Sequence, residues 1–293
     1  MIHKAKKSLG QNFLKSHEAL LEMCRAGDVN DKDIILEIGP GKGALTEKLL
    51  QKANKVIAVE KDRDLIELLS EKFADEIKSG KFILLNEDIL DIDISSLKNL
   101  PLTPSLSGGG LPPLIRGGWR GYKVIANIPY NITGAIFKKF LSDEVQPERM
   151  VMLVQKEVEE RIVAQDGKES ILSLSVKAYG TPKYIMKVHK RFFSPSPKVD
   201  SAIVSITNIS RKNFKTKEEE EIFFTVVKAG FAHKRKILRK NLENIKFSKG
   251  NDTFNISQID EILKKEGIDP KTRAEDIKIE TWLSLAQKLA QNI

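Results

Sequence analysis

Ile34-Ile35-Leu36-Glu37-Ile38-Gly39-Pro40-Gly41-Lys42-Gly43 is a short apolar run that breaks into a glycine-rich turn, with the helical pattern Ala44 to Lys52 directly behind it. A β-branched run bounded by glycine reads as a buried strand. The glycines let the backbone adopt positive φ and approach a ligand closely, and the helix amino terminus that follows adds a favourable dipole. Outward from this unit lie six further candidate strands: Val56 to Val59, Phe82 to Leu85, Val124 to Ala126, Arg149 to Val154, Tyr184 to Val188 and Ala202 to Thr207. Helical patterns such as Arg63 to Phe73 and Gly134 to Leu141 alternate with them, the signature of βαβ units. The predicted fold is α/β, a doubly wound sheet of seven mostly parallel strands with helices on both faces.

After Arg211 the pattern turns purely helical: Lys217 to Ala229, a basic helix near Lys234 to Asn244, Ser257 to Lys265, and Ile279 to Ala290. This places a boundary near residue 210, giving a sheet domain over 1–209 and a small helical domain over 210–293. Thr103 to Gly121 has three consecutive glycines, two consecutive prolines and neither a helical nor a strand period. It reads as an irregular, solvated insertion in the first domain.

Hydrophobic residues make up 41% and charged residues 30% of the 293, as in a soluble globular protein. No apolar run approaches the roughly 18 to 20 residues of a membrane span. The basic segment Met1 to Lys7 has no apolar stretch after it, unlike a secretory signal, so the cytoplasm is the expected compartment. The single Cys24 excludes an internal disulfide, and the four histidines lack metal-ligand spacing, so no metal is expected. Forty-nine basic against forty acidic residues leave a formal charge of +9. The excess is clustered at Lys4, Lys6 and Lys7, at Lys187 to Arg191 and at Lys234 to Lys240, which favours a polyanionic partner over a generally lysine-rich surface.

Open α/β sheets bind ligands at the carboxyl ends of their strands, so residues there are the site candidates. Glu37 closes the first strand. Glu60 follows the second, where a carboxylate can accept both hydroxyls of a ribose. Asp88 follows the third, suited either to an adenine amino group or to capping a turn. Asn127-Ile128-Pro129-Tyr130 ends the fourth: an amide with one acceptor and two donors, a proline that fixes the backbone, and a flat ring for a base to stack on. The turn is spaced G-x-G-x-G, not in the G-x-G-x-x-G register that a pyrophosphate requires, which disfavours a nicotinamide oxidoreductase. Acidic-x-Gly-x-Gly after a first strand resembles the S-adenosylmethionine turn of Rossmann-like methyltransferases.

These pieces, together with Leu9-Gly10-Gln11-Asn12-Phe13-Leu14 near the amino terminus, resemble in content and order the rRNA adenine dimethyltransferase family of the KsgA type. The resemblance runs from residue 9 to about 287 and includes Phe193-Ser194-Pro195-Ser196-Pro197-Lys198-Val199-Asp200-Ser201, the basic segment Gly230 to Leu242, and Arg273-Ala274-Glu275. It implies that Asn12, Leu14, Glu37, Gly39, Gly41, Glu60, Asp88 and Asn127 hold S-adenosyl-L-methionine, with Phe13 packed beside the entrance. Asn127, Tyr130 and Phe193 would act on the target, Phe193 facing Tyr130 across a flipped adenine. Lys234, Arg235, Arg239 and Lys240 would bind RNA. The implied reaction is dimethylation of two adjacent adenosines near the 3′ end of small-subunit rRNA. The partners would be that rRNA and the immature small ribosomal subunit, approached by a monomer that touches no membrane.

The insertion at 103–121 is the main departure from the pattern. Three other readings stay open at this point. A large-subunit rRNA methyltransferase of the macrolide-resistance type shares Asn127 to Tyr130 but is not expected to carry Gly230 to Leu242. A DNA or protein methyltransferase with Asn-Pro-Pro-Tyr differs in having proline where Ile128 stands. A non-catalytic ribosome assembly factor would bind without transferring methyl groups.

Overall fold

The computed structural model describes residues 5–6, 9–99, 121–243, 245, 247 and 256–290. In chain order its elements begin with strand β1 (Phe13–Leu14), helix α1 (His17–Ala26), β2 (Ile34–Ile38), α2 (Ala44–Leu50), β3 (Lys55–Val59), α3 (Arg63–Lys72), α4 (Ala74–Lys78) and β4 (Phe82–Leu85). Then come β5 (Tyr122–Asn127), α5 (Thr133–Ser142), β6 (Arg149–Gln155), α6 (Lys156–Val163), α7 (Ile171–Lys177), β7 (Thr181–Val188), β8 (Phe193–Ser194) and β9 (Ser201–Thr207). Helices α8 (Lys217–Gly230), α9 (Leu238–Leu242), α10 (Ile256–Lys265) and α11 (Ile279–Ala290) complete the described chain.

Seven strands form one sheet in the order β4-β3-β2-β5-β6-β9-β7. The pairings β2·β3, β2·β5, β3·β4 and β5·β6 are parallel, and β6·β9 is antiparallel. Each of the seven expected strands is present. The inner strands are continuous apolar runs because both sheet faces are covered. Ile35, Val56, Ala58, Ile125 and Val151 belong to a core with Leu20, Met23, Leu45, Leu49, Leu65 and Leu69 of the first three helices. The alternate residues Leu36, Ile57, Val124 and Met152 are buried just as deeply.

The chain builds outward through β2, β3 and β4, then returns to lay β5 on the other side of β2. That reversal makes a switch point, where two loops diverge from adjacent strand ends and leave a crevice. Ile38 and Ala126 are register partners there, so the glycine turn after β2 and Asn127 at the end of β5 emerge side by side. Antiparallel β9 starts at the same end of the sheet, with Ser201 beside Gln155 of β6.

A second, two-stranded pairing was not expected from the sequence. Phe13 pairs with Ser194 and Leu14 with Phe193, and the Lys15 amide continues the ladder by donating to the Phe192 carbonyl at 2.7 Å.

The chain divides into two compact units, residues 1–159 with 182–209 and residues 160–181 with 210–293. The stretch 160–181, assigned by sequence pattern to the sheet domain, therefore packs with the helices. Its anchor is Tyr179, whose ring stacks on Phe224 and meets Phe214 edge-on, and whose hydroxyl donates to Glu220. Arg211 also donates to both oxygens of that nearly buried carboxylate, at 2.9 and 3.1 Å. Within the same unit α8 turns Phe223, Val226 and Val227 inward toward Trp282 of α11, which is fully buried. Gly230 ends α8 where a Cβ would overlap the Trp282 ring.

The basic segment is a helix only over Leu238–Leu242, shorter than the pattern over 234–244 predicts. His233 to Lys236 form a turn instead, held because Asn241 donates to the carbonyls of Gly230 (2.6 Å) and His233 (3.2 Å). Of the predicted insertion only Gly121 lies among the described residues. No helix among them is long and apolar enough to cross a membrane.

Candidate active site

The strand ends at the switch point, together with residues 9–15, line a cavity of about 720 Å³. That volume lies in the range of sites for nucleoside-sized ligands. Asn12, Leu14, Glu37, Gly39, Gly41, Glu60, Asp88 and Asn127 all line it, and so does Tyr130.

The glycine turn is shaped for close approach. Gly39 and Gly41 have φ of +65° and +59°, conformations costly to any side chain. A Cβ on Gly39 would meet no atom within 4 Å, so the backbone lies open to a ligand. On Gly41 it would stand 3.0 Å from the Phe13 ring, which therefore packs directly on the turn.

Glu60 is 7% exposed and joins two loops: its carboxylate accepts from the amide of Asp62 at 2.9 Å and from that of Gly41 at 3.3 Å. Burial raises its pKa, and these amides pull it back down. Each carboxylate oxygen has a second lone pair, so acceptor capacity remains for a diol. Glu60→Ala is expected to weaken cofactor binding at least tenfold, since an ionised acceptor contributes about 1.5 to 3 kcal/mol through its hydrogen bonds. RNA affinity should stay as it is. Calorimetric titration checks both, and unchanged cofactor affinity would remove Glu60 from the site.

Glu37 is 1% exposed, and its Oε2 has no hydrogen-bond partner. Burial pushes its pKa up to about 8. The unused oxygen of this cavity-lining residue leaves hydrogen-bonding capacity for a ligand. Asp88 sits at the other end. Its Oδ2 pairs with Lys61 at 2.7 Å, which foremost holds its pKa down, and its Oδ1 accepts from the Leu90 amide at 3.0 Å. Asp88 thus caps a turn, and it also lines the cavity.

Asn127 donates through Nδ2 to the Asn12 carbonyl at 3.2 Å, and Asn12 in turn donates to the Gly10 carbonyl at 3.1 Å. The leader therefore fixes the amide at the sheet end. Tyr130 shares a hydrogen bond of 2.7 Å with the Ser201 hydroxyl, and partial burial raises its pKa. Ser201, the last residue of the 193–201 motif, thus bolts that motif to the Tyr130 turn.

Phe193 departs from expectation. It is 4% exposed, belongs to the core with Leu14 and Val188, and does not line the cavity, which its neighbour Ser194 does. Pairing with Leu14 turns its ring inward, so in this conformation it does not stand across from Tyr130. In the helical unit Lys234, Arg235 and Lys240 are exposed, whereas Arg239 is half-buried and ion-paired with Asp260 at 2.6 Å.

Sequence reasoning passed over Asp62 and named Ser201 only as the end of the 193–201 motif, with no role of its own. The one signal for Asp62 is its place two residues after Glu60 and directly before α3, where an aspartate caps a helix.

The family model described as ribosomal RNA adenine dimethylase matches residues 2–291. A protein of Fusobacterium nucleatum named ribosomal RNA small subunit methyltransferase A is 37% identical over 97% of each chain. A protein of Dehalococcoides mccartyi with the same name is 40% identical over 99% of this chain and 90% of its own. Among solved structures, a dimethyladenosine transferase from Plasmodium falciparum superposes with a TM-score of 0.74 at 24% identity, covering 95% of this chain and 98% of its own. The 23S rRNA methyltransferase ErmE superposes with a TM-score of 0.70 at 23% identity, covering 96% and 100%. The two superpositions establish the shared fold.

Proposed function

The chain belongs to the ribosomal RNA adenine dimethylase family and is a methyltransferase; from that premise we propose that it transfers methyl groups from S-adenosyl-L-methionine to the exocyclic amino groups of two adjacent adenosines near the 3′ end of small-subunit rRNA. The observation that carries this reading is the Asn127 amide, fixed through Asn12 at the switch point on the wall of the cavity. Identity of 37% and 40% over nearly the full chain to relatives named as small-subunit methyltransferases favours this substrate over the large-subunit alternative.

The residues fit the cofactor. Glu60 would take the ribose hydroxyls, Asp88 the adenine amino group with Ile89 under the ring, and the open backbone at Gly39 the methionine portion, close to the unpaired Glu37 oxygen. When bound, S-adenosylmethionine supplies a sulfonium-activated methyl whose carbon–sulfur bond breaks, leaving a thioether, as the carbon–nitrogen bond forms. An adenine amino group is a poor nucleophile because its lone pair is delocalised into the ring. With Nδ2 committed to Asn12, Asn127 would present Oδ1 to an amino proton while the Ile128 carbonyl accepts the other, favouring the pyramidal form with the lone pair directed at the methyl. The proton released as nitrogen gains its new bond passes to water, so no strong base is required. Catalysis is then mainly positioning and electrostatic complementarity. Tyr130 would be the stacking surface for the flipped base, and Phe193 would face it across the base only after its ring turns out of the core.

The exposed cations of the helical unit would bind RNA phosphates. Neutralising Lys234, Arg235, Arg239 and Lys240 together should flatten the salt dependence of RNA binding by up to about 0.7 to 0.9 log units for each phosphate that these cations had neutralised. Arg239 should contribute least, since Asp260 already neutralises it. Cofactor affinity should be unchanged, and an unaltered slope of log affinity against log salt would return the segment to a solvated surface. A monomer acting on the immature small subunit in the cytoplasm completes the reading. Its test is methyl transfer from labelled cofactor to small subunits lacking the modification, with mapping of the modified bases. Label at paired adenosines near the 3′ end is the expected result; label only in large-subunit rRNA, or binding without transfer, would overturn it.

A further inference from the structure

Residues 9–15 lie along the cavity as a strap, and the structure fastens each end differently. The carboxyl end is sewn by backbone pairing to Phe193 and Ser194. At the amino end the fastening centres on the carboxylate of Asp62, with Asp64 beside it. Asp62 has a fully buried side chain, and it receives Lys6 Nζ on Oδ1 at 2.5 Å and Gln11 Nε2 on Oδ2 at 2.7 Å. Lys6 reaches Asp64 as well, at 2.8 Å, and its amide donates to Gln11 Oε1 at 2.8 Å, so the two leader residues brace one another. The amide of Asp62 meanwhile donates to Glu60 Oε1, the candidate ribose acceptor. One residue thus holds the strap shut with its side chain and supports the ribose position with its backbone.

We infer that Asp62 is a positioning residue that clasps the leader over the cofactor cavity, holding Asn12 and Leu14 in place and setting how fast S-adenosylmethionine enters and leaves. This rests on the cofactor reading above. A clasp differs from a ligand-binding group in its kinetics. Loosening it makes opening more frequent, so association and dissociation both speed up while affinity changes little, provided the closed strap remains the dominant state. Removing a group that bonds the ligand directly slows nothing inward and raises only the outward rate. Because Lys6 is partly exposed, salt should weaken its share of the clasp.

The test is stopped-flow binding of S-adenosylmethionine to the full chain, comparing the parent with Asp62→Asn, with Lys6→Ala/Gln11→Ala, and with Glu60→Ala. Asparagine at 62 is itself a good helix cap through its one oxygen on the Asp64 amide, so α3 should remain folded while the NH2 group turned toward Gln11 loses that bond. Asp62→Asn and the leader double variant should each raise both rate constants about five- to tenfold, with affinity within about threefold of the parent and the melting temperature unmoved. Added salt should accelerate exchange in the parent and much less in Asp62→Asn, where only the Lys6–Asp64 pair remains. Glu60→Ala should raise only the dissociation rate. If both clasp variants keep parental rates, or lose affinity through dissociation alone, the clasp is overturned while the cofactor reading stands. If the parent shows no saturable binding, the cofactor reading falls and the clasp with it.

Discussion

An Asn127→Ala enzyme is expected to transfer methyl groups on the order of 100- to 1000-fold more slowly than the parent, as when one preorganised polar group is removed from an active site. Alanine keeps the β-strand end and the cavity wall but leaves the Asn12 carbonyl without its donor, and under the proposed mechanism it removes the acceptor for the target's amino group. Some cofactor affinity should go too, because Asn12 lines the same cavity. RNA affinity should stay within a few fold. Single-turnover rates at saturating cofactor on unmodified small subunits measure the chemical step free of binding. A variant within tenfold of the parent rate would sink the proposed mechanism.

Tyr130→Ala should lose both target binding and rate, by roughly ten- to a hundredfold in affinity, since a base–aromatic stack contributes about 1 to 3 kcal/mol. Tyr130→Phe separates ring from hydroxyl. It keeps the stacking face and removes the hydrogen bond to the buried Ser201 Oγ, a loss on the order of 1 kcal/mol that loosens the turn without removing the platform. Most activity should therefore survive in Tyr130→Phe. The same single-turnover assay, run across RNA concentrations, checks this; equal loss in the two variants would mean that the hydroxyl matters and the stacking surface does not.

The sheet was legible because its inner strands are buried on both faces and read as unbroken β-branched runs. Strand ends could be placed for the same reason, and with them Glu37, Glu60, Asp88 and Asn127, since parallel strands deliver their carboxyl ends to one edge. What stayed hidden depends on pairings with no local period. Phe13 and Leu14 make a strand of two residues, far too short to alternate, and only their pairing turns the Phe193 ring inward. The segment 160–181 contains helix α7, but no local pattern says which neighbour its apolar side meets. Tyr179 and Glu220 decide that, across a separation no window spans. Arg239 looked like a free cation because Asp260 lies on another helix.

The pairing of Phe13 and Leu14 with Phe193 and Ser194 also bears on how the protein is made. The leader leaves the ribosome well before its partner, which follows six of the seven strands of the main sheet. Bringing such distant segments together carries a loop-closure cost, offset by the strands formed between them. The leader cannot be sewn down until Ser194 is made, so a nascent chain has the glycine turn and Glu60 long before the strap over them is fastened. The cavity is therefore roofed only after β2 to β7 have been made.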